Sequence, residues 1–254
     1  EFTGVKLKKK AIIISIKGYV LSHNEKLLLS KKKPWGLILF KRNIKSFKQV
    51  KKLVESIKKN TKDKFFPIMI DEEGGTVTRI SRIVDHNIYQ KLFGDIFKLN
   101  AKVSIDLYEK YILEVTSFLR KIGININTVP VLDVLRKNTN NIIGSRSFSE
   151  DKNIVKKLGK ICVKHYEINK IATVIKHIPG HGCATMDSHK KMPKVNLSFT
   201  NLNNTDFFPF KNSRSRFAMT AHILYKKLDK SNVATFSKKI IKKIIRKRLA
   251  FKGI

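Results

Sequence analysis

Phe66-Pro67-Ile68-Met69-Ile70-Asp71-Glu72-Glu73-Gly74-Gly75 sets an apolar run directly against three acids and two glycines. An apolar run with no polar alternation fits a strand covered on both faces, the usual state of strands in a parallel sheet. The paired glycines then turn the chain.

The same pattern recurs on either side. Ala11-Ile12-Ile13-Ile14-Ser15-Ile16 and Gly36-Leu37-Ile38-Leu39-Phe40 precede it as strands. Ile124 to Val131, Ala172 to Ile175 and Phe217 to Thr220 follow it. Helical stripes lie between the strands. Phe47, Val50, Leu53, Val54 and Ile57 recur at helical spacing, with Ser46 and Gln49 placed as a capping box. Ile105 to Leu119 forms a longer stripe, closed by Gly123 where a left-handed terminus favours glycine. Ile154, Leu158, Ile161, Cys162 and His165 make another. Ile240, Ile241, Ile244, Ile245 and Leu249 make the last, with Ser237 as its cap and a lysine-rich solvated face.

Repeated βα units predict an α/β fold with a parallel sheet and right-handed crossovers. A (β/α)8 TIM-like barrel and an open doubly wound sheet both satisfy this order. No Gly-x-Gly-x-x-Gly follows the first strand, which leaves a dinucleotide fold without support. The polar residues fall at strand C-terminal ends, where barrels keep their chemistry. Asp71-Glu72-Glu73 ends the third strand, Asp133 and Arg146 follow the fourth, Lys176-His177 ends the fifth and His222 the sixth. A single barrel domain over 1–254 is therefore expected, C-terminally incomplete with six βα units, since a closed barrel has eight.

Lys and Arg total 54 against 19 Asp and Glu, a formal charge of +35. The lysines are spread along the whole chain, and Ile and Asn are also abundant. The excess is read first as the imprint of AT-rich codons, then as help in attracting an anionic ligand. A specific nucleic-acid partner is not expected, although weak polyanion binding at low salt is. Two cysteines, Cys162 and Cys183, are too few for a disulfide scaffold. No apolar run has the length of a membrane span. With no signal-peptide pattern at Glu1, the expectation is a cytoplasmic monomer, not membrane-bound, and a fragment of a longer protein because the chain does not open on Met.

The densest chemistry lies in Lys176-His177-Ile178-Pro179-Gly180-His181-Gly182-Cys183-Ala184-Thr185-Met186-Asp187-Ser188-His189. Pro179, Gly180 and Gly182 forbid a regular helix, so His177 and His181 cannot share a helix face as zinc-protease ligands do. No metal or cofactor is expected, and no Gly-Lys-Ser/Thr marks a phosphate loop. A structural loop with incidental histidines is the plain alternative. The functional reading is a proton-transfer pair. Asp187 and His189 are two apart, so an extended loop turns both the same way. A carboxylate beside an imidazole fixes its tautomer and stabilises its cation, and imidazole titrates near neutrality.

Lys-His-x-Pro-Gly-His-Gly, four residues, then Asp-Ser-His resembles the signature of the β-N-acetylglucosaminidases of glycoside hydrolase family 3. Gly36 to Asn43, Asp71 to Gly75 with Arg79, Asn125 to Val134, Ile143 to Phe148, Met219 to His222 and Phe251 to Ile254 resemble the family's other segments in order. The resemblance implies retaining hydrolysis of terminal β-linked N-acetylglucosamine through a glycosyl-enzyme, with N-acetylglucosaminides and muropeptides as substrates. It implies His189 as acid/base supported by Asp187, and substrate-binding roles for Asp71, Arg79, Arg146, Lys176 and His177. It reads His181 and His222 as structural or supporting, and Glu72 and Glu73 as supports of the turn at Gly74-Gly75. It places the nucleophilic aspartate on the strand after Phe251 to Ile254, outside this chain. Thr76 and Thr78 depart from the Arg and Gln that the family often has there. The alternative is an inactive sugar-binding or basic interaction protein.

Overall fold

A computed structural model describes residues 9–85, 87–136, 143–184 and 192–254. Among them the strands are β1 (Lys10–Ile14), β2 (Pro34–Leu39), β3 (Ile68–Ile70), β4 (Ile126–Asn127), β5 (Ala172–Ile178), β6 (Lys194–Val195), β7 (Phe217–Thr220) and β8 (Leu224–Tyr225). Six form one parallel sheet in the order β1-β2-β3-β4-β5-β7, and β6 and β8 make a separate parallel pair. Chain order preserved across a parallel sheet requires crossovers on one side. These carry the helices α1 (His23–Leu27), α2 (Phe47–Thr61), α3 (Gln90–Leu99), α4 (Ala101–Ile122), α5 (Lys152–Ile168) and α6 (Phe199–Asn204).

The sheet curls. Flat, β2 and β7 would stand four strand spacings apart, roughly 19 Å, yet the rings of Trp35 and Phe217 meet edge to face with centroids 5.4 Å apart. Behind them Met69, Ile126 and Val174 form a small concave cluster. The sheet is thus the incomplete (β/α)8-type barrel that the strand order predicts.

On the convex side Leu37, Leu39, Ile68, Ile70 and Ile175 are buried. They share one core with Val50, Leu53 and Ile57 of α2, Ile112 and Leu119 of α4, and Leu158 and Cys162 of α5. The helix ends follow the residues. Ser46 accepts a hydrogen bond from the Gln49 N–H at 3.2 Å, while the Gln49 side chain reaches back to the Lys45 N–H at 2.8 Å, one residue before the box position. Gly123 ends α4 at φ 87°. Ser237 accepts from the Ile240 N–H at 3.0 Å, and the segment it starts, Ile240–Arg248, winds as a π-helix with Ile240, Ile244 and Ile245 inward.

Two strands differ from the sequence expectation. β1 is not covered on both faces: Ile12 and Ile13 are 52% and 41% exposed, and among the described residues the strand pairs only with β2, at the edge of the sheet. The strand expected over Ile124 to Val131 shrinks to Ile126–Asn127 plus one bridge from Val131 to Lys176.

Candidate active site

Strand alternation builds the site. Met69 faces the concave side, Ile70 the convex core and Asp71 the concave side again. Val174, Ile175 and Lys176 repeat this on β5, and Ile126, Asn127 and Thr128 on β4. Asp71, Thr128 and Lys176 therefore form a polar layer above the Met69-Ile126-Val174 floor. The Thr128 hydroxyl donates to Asp71 Oδ1 in a short contact, and Lys176 Nζ donates to Thr128 Oγ1 at 2.9 Å and lies 3.5 Å from Asp71 Oδ1. Arg79 Nη2 donates to the other oxygen of Asp71 at 3.3 Å.

A second carboxylate completes the layer. Glu73 accepts a bidentate pair from Arg146, Nε at 2.7 Å and Nη2 at 2.9 Å, and makes a close ion pair with Lys176. Glu73 was expected only to brace the glycine turn. Its side chain is instead 2% exposed, and it is the shared counterion of two of the expected sugar-binding cations. Burial pushes the Asp71 and Glu73 carboxyls up, but Lys176 first, with Thr128 and Arg79 at Asp71 and Arg146 at Glu73, brings both below their ordinary values. Both remain ionised acceptors at neutral pH.

Glu72 does brace the loop. Its carboxylate accepts from the N–H of Arg79 at 2.7 Å, the N–H of Ile80 at 3.2 Å and the Thr78 hydroxyl at 3.1 Å. This folds the segment back so that Arg79 meets Asp71. The turn needs glycine at position 75: φ is +56°, and a Cβ there would lie 2.1 Å from the Tyr89 ring. From the convex side the Asn127 side chain grips the Glu72 backbone, accepting from its N–H at 2.9 Å and donating to its carbonyl at 2.8 Å. The same amide donates to the Tyr166 hydroxyl of α5 at 3.0 Å.

At the end of β5, His177 Nδ1 lies 2.7 Å from Asp133 Oδ2. Asp133 also accepts from the His181 N–H at 2.6 Å and from the His177 N–H at 3.3 Å. Burial raises the Asp133 carboxyl, yet His177 and the His181 segment hold it below its usual range. His181 is buried, and desolvation lowers its ring below the ordinary value. His222 takes no part in this cluster. It is exposed and packs edge to face on Phe236 at 5.8 Å.

Five sequence-predicted residues, Asp71, Arg79, Arg146, Lys176 and His177, thus converge at the C-terminal ends of β3, β4 and β5. Asp187 and His189 lie outside the described residues. Thr128 and Gln90 escape the sequence reading, which marks Glu73 and Asp133 only as polar residues at strand ends and not by their partners. Gln90, at the start of α3, donates to the carbonyls of Arg146 at 2.6 Å and Val131 at 3.2 Å, fixing the Arg146 segment. Among the described residues no group of three or more His, Cys, Asp or Glu side chains is placed to hold a metal ion.

A parallel half-barrel with its ionic layer at the strand ends defines a class, and the sequence agrees: residues 7–254 match the glycosyl hydrolase family 3 N-terminal domain, and the chain belongs to that family. Among its relatives, β-hexosaminidase A of Pseudoalteromonas piscicida is 33% identical over 248 residues, covering 89% of this chain and 41% of that enzyme. The β-hexosaminidase of Methylobacillus flagellatus is 31% identical over 222 residues, covering 86% of this chain and 63% of that enzyme. The chain therefore spans less than two thirds of the length of these two relatives. Among solved structures, NagZ of Neisseria gonorrhoeae in complex with N-trifluoroacetyl-D-glucosamine superposes with a TM-score of 0.89 at 29% identity, covering 97% of this chain and 73% of that one.

Proposed function

We propose that the whole protein is a retaining exo-β-N-acetylglucosaminidase that releases terminal β-linked N-acetylglucosamine, acting on muropeptides in the cytoplasm. The observation that carries this is the fixed polar layer. Sugar hydroxyls need acceptors and donors held rigidly, so that hydrogen bonds tightening at the transition state lower the barrier. Asp71 is the acceptor, and Arg79, Arg146 and Lys176 are donors whose orientation is set by Asp71 and Glu73. His177 is the fifth ligand of the sugar. The relatives are β-hexosaminidases, and this, with the sugar analogue bound to the gonococcal NagZ, supports the same reading. No helix among the described residues is long and apolar enough to cross a membrane.

In this mechanism a carboxylate attacks the anomeric carbon while His189 protonates the departing oxygen. The glycosidic bond breaks as the glycosyl-enzyme ester forms. His189 then takes a proton from water, which attacks the same carbon and frees the sugar. Asp187 orients the ring throughout. The full-length protein is expected to release nitrophenol from the nitrophenyl β-glycoside of N-acetylglucosamine. His189→Ala should slow turnover by about 10²–10⁴-fold with little change in sugar affinity. A folded full-length protein without hydrolytic activity rejects the assignment, and an unchanged rate in the variant removes His189 from its role.

A further inference from the structure

The proposed reaction gives no task to Asp133, a buried acid at the edge of the site. Asp133 is fully buried, and every group facing its carboxylate in the hydrogen-bond geometry above offers nitrogen: the backbone N–H of His177, the backbone N–H of His181 and the ring Nδ1 of His177. An ionised carboxylate only accepts. The contact at 2.7 Å therefore requires the hydrogen on Nδ1. A ring protonated at Nδ1 has, in its neutral form, a bare Nε2 at its opposite end.

We propose that Asp133 is a positioning residue that locks His177 in the Nδ1–H tautomer and so presents Nε2 to the sugar as a hydrogen-bond acceptor. This deepens the reading of His177 as a sugar ligand and rests on it. The consequence is selective. Lys176, Arg79 and Arg146 can only donate, so without this lock Asp71 is the sole acceptor among the five proposed sugar ligands. With it, the site gains a second acceptor for a sugar hydroxyl or amide N–H. The lock is also stiff, because the same carboxylate pins the two backbone N–H groups on either side of the Ile178-Pro179-Gly180 bend.

Asp133→Asn separates this from mere packing. The backbone N–H of His181, at 2.6 Å, keeps the amide oxygen on its side. The amide NH2 then occupies the place of Oδ2 and meets His177 Nδ1 with a donor. The ring can hold that contact only by moving its hydrogen to Nε2, which turns the acceptor into a donor.

Two-bond ¹H–¹⁵N spectra of histidine-labelled protein read the tautomer directly, with His177→Ala supplying the assignment. Wild type is expected to show Nδ1 protonated whether or not Nε2 is, and Asp133→Asn to show the neutral ring with its hydrogen on Nε2. N-acetylglucosamine, titrated into the same samples, should bind the variant about tenfold more weakly, the loss of one well-made hydrogen bond. A bare Nδ1 in wild type overturns the proposal even if the variant does not fold, and so does an unmoved tautomer in a folded variant. If wild type and His177→Ala bind the sugar alike, the sugar-ligand reading fails and the acceptor role with it. In that case the tautomer itself is still decided by the spectra.

Discussion

On the convex side of the sheet, Leu39, Ile70 and Ile175 meet helices across hydrocarbon, and each contact is one of many. On the concave side, above Met69 and Val174, Glu73 is shared by Lys176 and Arg146, and no apolar neighbour can replace it. Convex stability scales with buried volume and degrades in small steps. The concave layer is ionic, and losing Glu73 takes from the buried Lys176 its nearer carboxylate and from Arg146 its bidentate partner. The difference separates what holds the barrel together from what the barrel is built to hold.

Removing the shared anion should expose this most sharply. Glu73→Ala leaves Lys176 and Arg146 without their common counterion, and a loss of about 3–5 kcal/mol in unfolding free energy is expected from urea titration. A loss under about 1 kcal/mol, the size of an exposed pair, would erase the distinction between the faces.

Acidity tests the same layer without a cavity. Asp71 and Glu73 have folded-state pKa values below their ordinary 3.8 and 4.5. Their stabilisation is complete above those ordinary values and is lost as the pH falls through the lower folded ones. The urea midpoint should therefore drop on the acid side, and Glu73→Gln should make that drop shallower. An identical acid limb in the variant would mean that other carboxylates carry it.

The smallest effect belongs to the convex face. Ile175→Val removes one methyl from a fully buried site and should cost about 1 kcal/mol, with the polar layer and sugar binding intact. A larger loss, or a change in sugar affinity, would show that the two faces are coupled through β5.

What the sequence made legible follows from distance along the chain. The apolar runs of β3 and β5 end in Asp71 and in Lys176-His177, so strand and site residue are read together. Asp133 was visible only as a polar residue after the fourth strand, since its partners at His177 and His181 lie 44 and 48 residues onward. Thr128 is 57 residues from Asp71, and Arg146 is 73 from Glu73, separations that no local pattern encodes. The helix α3 was missed because its stripe is ragged: Phe93 is buried while Leu92 and Leu99 are exposed, and the polar Gln90 faces inward. β1 was read as fully covered because an apolar run does not reveal how many neighbours a strand will have.

The grip of Asn127 on Glu72 has a mechanical meaning. One amide holds the backbone N–H and the backbone carbonyl of Glu72, the residue between the two site acids, and so fixes the peptide units on both sides of it; the same amide is tethered to Tyr166 on α5. The aim of Asp71 and Glu73 is thus referenced to a helix on the opposite side of the wall. Tyr166, Asn127 and Glu72 form a direct mechanical link from that helix to the place where the two acids point.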